Sequence, residues 1–384
     1  MRFSRIRLEN WRNFATVDVP LENRAFIVGA NASGKSNLLD VFKFLHDLVV
    51  PGGGFQAAVT RRGGVSSIRN IAARNQPGIT IDIELVNDDT TWRYRIAFDR
   101  KNRNNNTPIL VEEKIWKNDR VIVNRPNEDD KTDEARLAQT LLEQTFANKE
   151  FRDISDFFQT ITYTHLVPQL VREPERYIQD RQIDDPYGGD FLEQIATKNT
   201  RSQNAYLNRI ENALKIAVPQ LSELQFERDK KTGTPHLKAR YNHWRPKGQW
   251  QNETDFSDGT LRLIGLLWTV QDSNGPLLLE EPELSLHPGI VRHIPQMLLR
   301  IQRDRGRTYR QIFMSTHSEV LLSDEGIGAD ELLLLRADPT GTRVEVGSQR
   351  MEIVQALQAE LSPADIVIPF TQPANLSLLG RNGN

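Results

Sequence analysis

The 384 residues carry 49 Lys and Arg against 51 Asp and Glu, a formal net charge of -2, so no overall basic field draws the chain to nucleic acid or to an anionic membrane. Hydrophobic residues make up 38% and charged residues 26%, which suits a globular chain with a sizeable core, long enough for two domains or for one large α/β domain with insertions. The cysteine count is zero, which excludes disulfides and thiolate metal sites and fits a cytoplasmic protein, and no run of about 18 apolar residues or apolar leader points to a membrane or to secretion.

In chain order, residues 1–21 predict two strands around a turn at 9–13, and residues 25–28 a third strand. The third runs into Gly29-Ala30-Asn31-Ala32-Ser33-Gly34-Lys35-Ser36, a G-x-x-x-x-G-K-[ST] sequence. Glycines at 29 and 34 let the backbone curl so that its N–H groups face an anion. Lys35 supplies a point charge for the outer phosphates of a nucleotide, and the Ser36 hydroxyl can ligate Mg2+. Leu38, Val41, Phe42 and Leu45 then fall on one face of a helix reaching about residue 50, and its N-terminal dipole favours negative charge. The same letters arise in ordinary glycine-rich turns; the strand before and the helix after decide for a phosphate cradle.

Pro51-Gly52-Gly53-Gly54 ends that helix, and Arg61 and Arg62 follow in a glycine-flanked basic loop. Arg12 in the first turn and Arg61 and Arg62 in this loop flank the phosphate loop in the chain, so Arg12 or one of the pair is expected on the nucleotide phosphates. Residues 79–85 and 92–98 alternate, and with strands near 109–117 and 120–124 they predict an antiparallel meander, with 101–106 as a polar loop. Residues 131–149 read as one surface helix that buries Leu137, Leu141 and Leu142, and 161–167 as a strand ending at Pro168-Gln169. Residues 171–250 read as an α-rich insertion, with helices near 190–198 and 203–217 and strands near 226 and 237–241. From 256 onward helices (260–270, 289–305, 351–361) alternate with strands (277–279, 311–315, 331–335), and 369–384 reads as a loose tail. The expected division is an N-terminal lobe over 1–170, the insertion over 171–250 and a C-terminal lobe over 251–384, in the α/β class.

The second half carries further chemistry. Leu277-Leu278-Leu279-Glu280-Glu281-Pro282-Glu283 is an apolar strand ending in carboxylates, of which Glu280 can hold Mg2+ and Glu281 can take a proton from an attacking water. Alone it would be an acidic turn after a core strand. Ser257-Asp258-Gly259-Thr260 joins a hydroxyl, a flexible glycine and a helix N-terminus, alone an ordinary cap. His317 ends a strand expected beside that of Glu280, from where it could reach a γ-phosphate, although a lone histidine is more often structural. Gln169 places an amide after another strand.

Together these residues resemble the ABC ATPases, specifically the head domains of the SMC/RecF/OLD-like branch. That family's order of phosphate loop, Q-loop, signature, Walker B with catalytic glutamate, D-loop and switch histidine is met by Gly29–Ser36, Gln169, Ser257–Thr260, Glu280 with Glu281, Leu284-Ser285-Leu286-His287-Pro288, and His317. The opening Leu8-Glu9-Asn10-Trp11-Arg12-Asn13-Phe14 is similar to the first hairpin of RecF-like proteins, and the likeness covers roughly residues 1–170 and 250–346. It implies an ABC-ATPase head, a phosphate-loop NTPase with an antiparallel meander in its N-terminal lobe, that binds and hydrolyses ATP with Mg2+. Nucleotide contacts are then expected from Gly29, Asn31, Ser33, Gly34, Lys35, Ser36 and Asn37, and metal contacts from Ser36, Gln169 and Glu280. Glu281 and His317 are expected to act with Lys35 in catalysis. Ser257 and Gly259 would complete the site of a second head. Three features depart from the pattern: Glu280 stands where many relatives have Asp, the signature reads Ser-Asp-Gly-Thr rather than Ser-Gly-Gly-Gln, and there is no coiled coil. The stretch after His317 is short and lacks a clear acidic metal cluster, so no Toprim-type nuclease activity is expected in this chain.

The resemblance further implies a homodimer or higher homo-oligomer, closed by ATP held between heads. Its open or closed state would control a partner effector, such as a nuclease encoded nearby, or nucleic-acid engagement, by analogy with systems of defence against phage. One alternative is a RecF-like DNA-repair ATPase, for which Arg61, Arg62, Arg69 and Arg74 form a local basic stretch. A transporter ATPase is the other, and the long insertion and RecF-like hairpin argue against it.

Overall fold

The computed structural model describes residues 1–72, 78–102, 105–177, 185–242, 249–272, 275–303 and 310–371. Strands β1 (Arg2–Trp11), β2 (Phe14–Pro20) and β3 (Arg24–Gly29) precede the helix Lys35–Val49. After it come β4 (Ile79–Asn87), β5 (Thr90–Asn102), β6 (Asn105–Lys117) and β7 (Arg120–Arg125). They are followed by β8 (Thr162–Thr164), β9 (Leu221–Arg228), β10 (Pro235–Tyr241), β11 (Gln249–Asn252) and β12 (Leu277–Glu280), and then by β13 (Ile312–Thr316), β14 (Leu332–Asp338) and β15 (Gly341–Val346). The chain forms two compact units, Met1–Ile161 with Tyr309–Asn384, and Thr162–Thr308. The cuts fall elsewhere than the expected 170 and 250. One reason is that β13 and β14 both pair in parallel with β3, which places the last strands with the first.

In the first unit one sheet runs β2-β1-β4-β5-β6-β7, antiparallel throughout, as the alternating residues predict. In the other, β3 lies between β13 and β14, and β15 adds an antiparallel strand beyond β14. The helix Lys35–Val49 touches both sheets: Phe42 stacks on Phe313 of β13 at 4.5 Å and Phe44 on Phe98 of β5 at 5.7 Å. Leu39, Phe44 and Leu48 are therefore buried along with the predicted face, because a helix covered on two sides buries a wider apolar stripe than one covered on a single side. Phe3 extends this cluster to Phe157 at 5.1 Å, and such ring pairs add about 0.5–1.5 kcal/mol each beyond the area they bury.

Residues 131–149 do not form the expected single helix. A capped turn, Glu128–Thr132, gives way to a tighter turn, Glu134–Ala138. The buried Glu113 carboxylate accepts the backbone N–H of Leu141 at 2.9 Å and of Leu142 at 3.4 Å while holding the buried Arg125 at 2.9 Å. Those N–H groups are thereby committed outside any helical ladder. The strand expected over 161–167 is only β8, and the helix expected over 289–305 is broken into Pro288–Val291 and Ile294–Arg303, with 304–305 outside the described residues. Strands β11 and β15 were not foreseen, and the helix Pro363–Thr371 occupies the start of the expected loose tail. The remainder of that tail, and part of the 101–106 loop, lie outside the described residues.

In the second unit β8 and β12 pair in parallel, and β9, β10 and β11 form an antiparallel sheet. The helices Phe191–Thr197 and Thr200–Ala217 share one core with the helix Asp258–Asp272: Ile195, Leu207, Ile210 and Leu214 cluster with Leu261, Ile264, Leu267 and Trp268. The stretch read as a separate insertion is thus packed on the helix that follows it, which is why no cut falls at 250.

Candidate active site

In the first unit β3 ends at Gly29, and the loop after it is built for close backbone approach. A methyl group at Gly29 would lie 2.5 Å from Ser33 Oγ and 2.8 Å from the Leu335 carbonyl. Gly34 caps the helix Lys35–Val49 with φ +100°, and a methyl group there would lie 2.1 Å from Asn13 Nδ2. Lys35 is buried and folds back over the loop, its Nζ donating to the Gly29 carbonyl at 3.0 Å and to that of Ala30 at 3.3 Å. Ser33 is buried too, and its Oγ has no hydrogen-bond partner among the described residues. A hydroxyl taken from water without a partner costs about 1–3 kcal/mol. The loop therefore carries a polar group that an incoming phosphate oxygen would satisfy, beside a lysine it would draw off its own carbonyls. Asn31 and Ser36 are exposed at the loop, and Asn37 Nδ2 donates to Asn13 Oδ1 at 2.7 Å.

Replacing Gly34 by alanine combines a left-handed backbone, which costs an L-residue about 1–2 kcal/mol, with the clash on Asn13. The expected result is loss of nucleotide binding with Lys35 intact, read by titration with a fluorescent ATP analogue. Parental affinity would contradict it.

The flanking arginines are committed within the first unit. Arg12 donates from Nε and Nη2 to Asp40 Oδ2 at 3.1 and 2.9 Å. Arg62 donates from Nε to Asp40 Oδ1 at 2.9 Å and from Nη1 to Asp47 Oδ2 at 2.8 Å, and its guanidinium lies over the Phe44 ring at 5.2 Å. Arg61 is exposed and donates to the Gly52 carbonyl at 3.1 Å. Asp40 therefore gathers Arg12 and Arg62 on one side of the phosphate-loop helix. Burial pushes the Asp47 carboxyl up, but His46, Arg62 and Lys43 outweigh it and hold that carboxyl well below the usual range. Replacing Arg62 by alanine takes from the buried Asp47 carboxylate one of its cationic partners, leaving Lys43 and His46, and is expected to cost about 1–3 kcal/mol, visible as a lower urea midpoint at neutral pH. Because the folded carboxyl is depressed, this contribution is present above its unfolded value near 4 and fades as pH falls through the folded one. An unchanged midpoint would contradict the pairing.

His317 follows directly on β13, whose Thr316 pairs with Val28 of β3, so the histidine and the phosphate loop leave adjacent parallel strands at the same level. It is exposed, and Ser318 after it caps the helix Glu319–Leu322 by accepting from the Leu321 N–H at 3.3 Å.

The second unit brings together Gln169, the Ser257–Thr260 turn and the acidic turn. Glu280 ends β12 opposite β8, and its Oε2 accepts from the Tyr163 hydroxyl. Glu281 has φ +43° and Ser285 φ +61°, so the acidic turn holds two side-chain-bearing residues in the left-handed region. Such positions cost about 1–3 kcal/mol and cluster at functional sites. A methyl group on Gly259 would lie 2.5 Å from the Ser285 carbonyl, which makes glycine the residue that lets the Ser257–Thr260 turn touch the acidic one. Ser257 Oγ accepts the Thr260 N–H at 3.2 Å. Gln169 is exposed on the helix Pro168–Arg172, and Arg172 Nη2 ties that helix to the turn by donating to the Phe256 carbonyl and to Asp258 Oδ1, each at 2.6 Å. Sequence reading assigned no role to Arg172, Tyr163, Asn13 or Thr342. Asn13 lies in the opening hairpin motif and the others in no short motif, and only the pairing of distant segments reveals what they hold. Arg262 is a further case. It is half-buried on the same helix as Gly259, with its Nε unpartnered among the described residues.

A central strand feeding a loop whose two glycines leave no room for a side chain, followed by a helix that opens on lysine, is the arrangement found in phosphate-loop NTPases, and the fold is that of their ABC-type heads. The chain belongs to the family described as "AAA domain, putative AbiEii toxin, Type IV TA system", which it matches over residues 24–323. Over 55 residues it is 42% identical to "Endonuclease GajA" of Bacillus cereus (strain VD045), a match that covers 14% of this chain and 10% of that protein. The match thus spans about a tenth of GajA's length. Among solved structures, the SmcHead bound to the C-winged helix domain of ScpA superposes with a TM-score of 0.56 at 14% identity, over 90% of this chain and 98% of that one. The Smc head domain with an extended coiled coil bound to the C-terminal domain of ScpA, derived from Pyrococcus furiosus, gives 0.50 at 13% identity, over 93% and 99%. At these identities the likeness is one of fold, an SMC-type ATPase head. No helix among the described residues is long and apolar enough to cross a membrane.

Proposed function

We propose that this chain binds ATP with Mg2+ and hydrolyses it, and that nucleotide gates the pairing of two heads. The observation that carries the reading is the loop in which Ser33 Oγ is buried without a partner beside the inward-folded Lys35. Lys35 holds the outer phosphates, with Gly29, Asn31, Ser33, Gly34 and Asn37 lining the loop. Ser36, Gln169 and Glu280 would hold the metal. Bound Mg2+ neutralises charge that develops on the phosphates. Glu281 takes the proton of the attacking water, His317 senses the γ-phosphate, and Ser257 and Gly259 complete the site of a second head. Arg12, Arg61 or Arg62 reaches the phosphates after release from its present carbonyl or carboxylate.

The similarity to a stretch of an endonuclease supports a setting in which the paired state controls a nuclease or another effector in a cytoplasmic defence system. The RecF-like alternative draws less support: Arg62 and Arg69 are each already paired with carboxylates, Arg69 with Asp99 at 2.9 Å, and Arg74 lies outside the described residues. Phosphate release by the purified chain with ATP and Mg2+, alone and with the products of adjacent genes, tests the reading. No release in either case, together with no ATP binding by calorimetry, would overturn it.

A further inference from the structure

The phosphate loop is braced by two segments from opposite ends of the first unit. Asn13, in the turn between β1 and β2, donates from Nδ2 to the Ser33 carbonyl at 2.8 Å and to Thr342 Oγ1 at 2.7 Å. Thr342, in β15, is buried and donates its hydroxyl to the same Ser33 carbonyl at 2.8 Å. The Thr342 N–H closes the ring on the Asn13 carbonyl at 2.7 Å. Asn13 Oδ1 accepts from Asn37 of the phosphate-loop helix at 2.7 Å, and Trp11 Nε1 donates to the Asn37 carbonyl at 2.9 Å. Gly341 has φ +143°, and a methyl group there would lie 2.3 Å from the Asn13 carbonyl, so the β14–β15 hairpin can approach only as glycine.

The Ser33 carbonyl belongs to the peptide whose N–H is that of Gly34. Two donors on that oxygen fix the plane of this peptide and so the direction in which its N–H points. An anion cradle works by holding such N–H groups aimed before the ligand arrives, which spares the cost of ordering them on binding. Lys35 Nζ bonds the Gly29 and Ala30 carbonyls of the same loop.

We infer that Thr342 and Asn13 are positioning residues of the nucleotide site: they clamp the Ser33 carbonyl so that the Gly34 N–H is preset for a nucleotide phosphate. This rests on the reading that the loop binds ATP. It adds a requirement that the loop's own sequence does not contain, a hydroxyl 309 positions away from Ser33 in the chain. A hydroxyl is needed at 342, one that accepts from Asn13 and donates to Ser33 at once. Valine fills the same space and can do neither.

The test is calorimetric titration of ATP and Mg2+ into the parent, Thr342→Val and Thr342→Ser, which yields affinity and stoichiometry separately. The expected result is a Kd about tenfold higher for Thr342→Val, with unchanged stoichiometry, and a Kd near the parent's for Thr342→Ser. A residue that only supports folding would lower the stoichiometry and the melting temperature while leaving Kd alone, and that outcome overturns the inference. So does a Thr342→Val protein identical to the parent in both quantities. If Thr342→Val does not fold, Asn13→Ala takes its place, judged by the same two quantities against the parent. A parent that binds no ATP overturns the proposed function first, and this inference with it.

Discussion

Replacing Lys35 by alanine is expected to weaken ATP binding by about a hundredfold or more, the worth of a charge-assisted bond in a water-poor site. Lys35 is the only side-chain cation within the loop from Gly29 to Ser36. In the free protein its ammonium is already desolvated, held by two carbonyls of the same loop. Bonds from this ammonium to phosphate oxygens would be charge-assisted, so the loss on removal is large. The fold should survive, because the aromatic packing of Phe42 and Phe44 lies elsewhere on the helix. Melting temperature and nucleotide affinity measured on one preparation separate the two effects. A variant with parental affinity would remove the foundation of the nucleotide reading.

Replacing Glu281 by glutamine should leave ATP bound while lowering turnover by about 10²- to 10⁴-fold, the usual contribution of a positioned base. Glutamine keeps the size and hydrogen bonding of glutamate and lacks its basicity. On a regular strand two adjacent carboxylates would point to opposite faces, and Pro282 offers itself as the residue that breaks the strand. The break comes earlier: β12 stops at Glu280, whose carboxylate accepts from Tyr163, and Glu281 itself turns in the left-handed region. The two carboxylates are therefore set apart by backbone conformation, which fits separate roles on the metal and on water. Glu280→Gln should instead raise the Mg2+ concentration needed for turnover. Near-parental turnover in Glu281→Gln would overturn the base assignment.

What could be read from sequence follows the range of the interactions. The phosphate loop was legible because glycine, lysine and serine act within a few residues of one another. The meander was legible because the alternation of apolar and polar residues in 79–98 reports strands directly, although Thr80 and Asp82 of the polar face are buried as well. The stretch 131–149 misled because its leucines have helical spacing, while a buried glutamate from β6 captures the backbone of Leu141 and Leu142. Gln249–Asn252 escaped notice because an exposed edge strand needs no apolar alternation. The committed state of Arg62 was half legible: Asp40 and Asp47 stand seven positions apart on one helix, but only the fold brings the arginine between them. The clamp on Ser33 was not legible at all, since Asn13 and Thr342 meet only when the last hairpin pairs with the central strand.

Nucleotide-gated pairing of heads is tested most directly by the solution mass of the Glu281→Gln protein, measured by light scattering with and without ATP and Mg2+ at concentrations where calorimetry shows the site filled. The predicted result is a monomer that becomes a dimer only with ATP, and that fails to do so when Lys35→Ala is added. A mass that stays the same while ATP is demonstrably bound would contradict the gating.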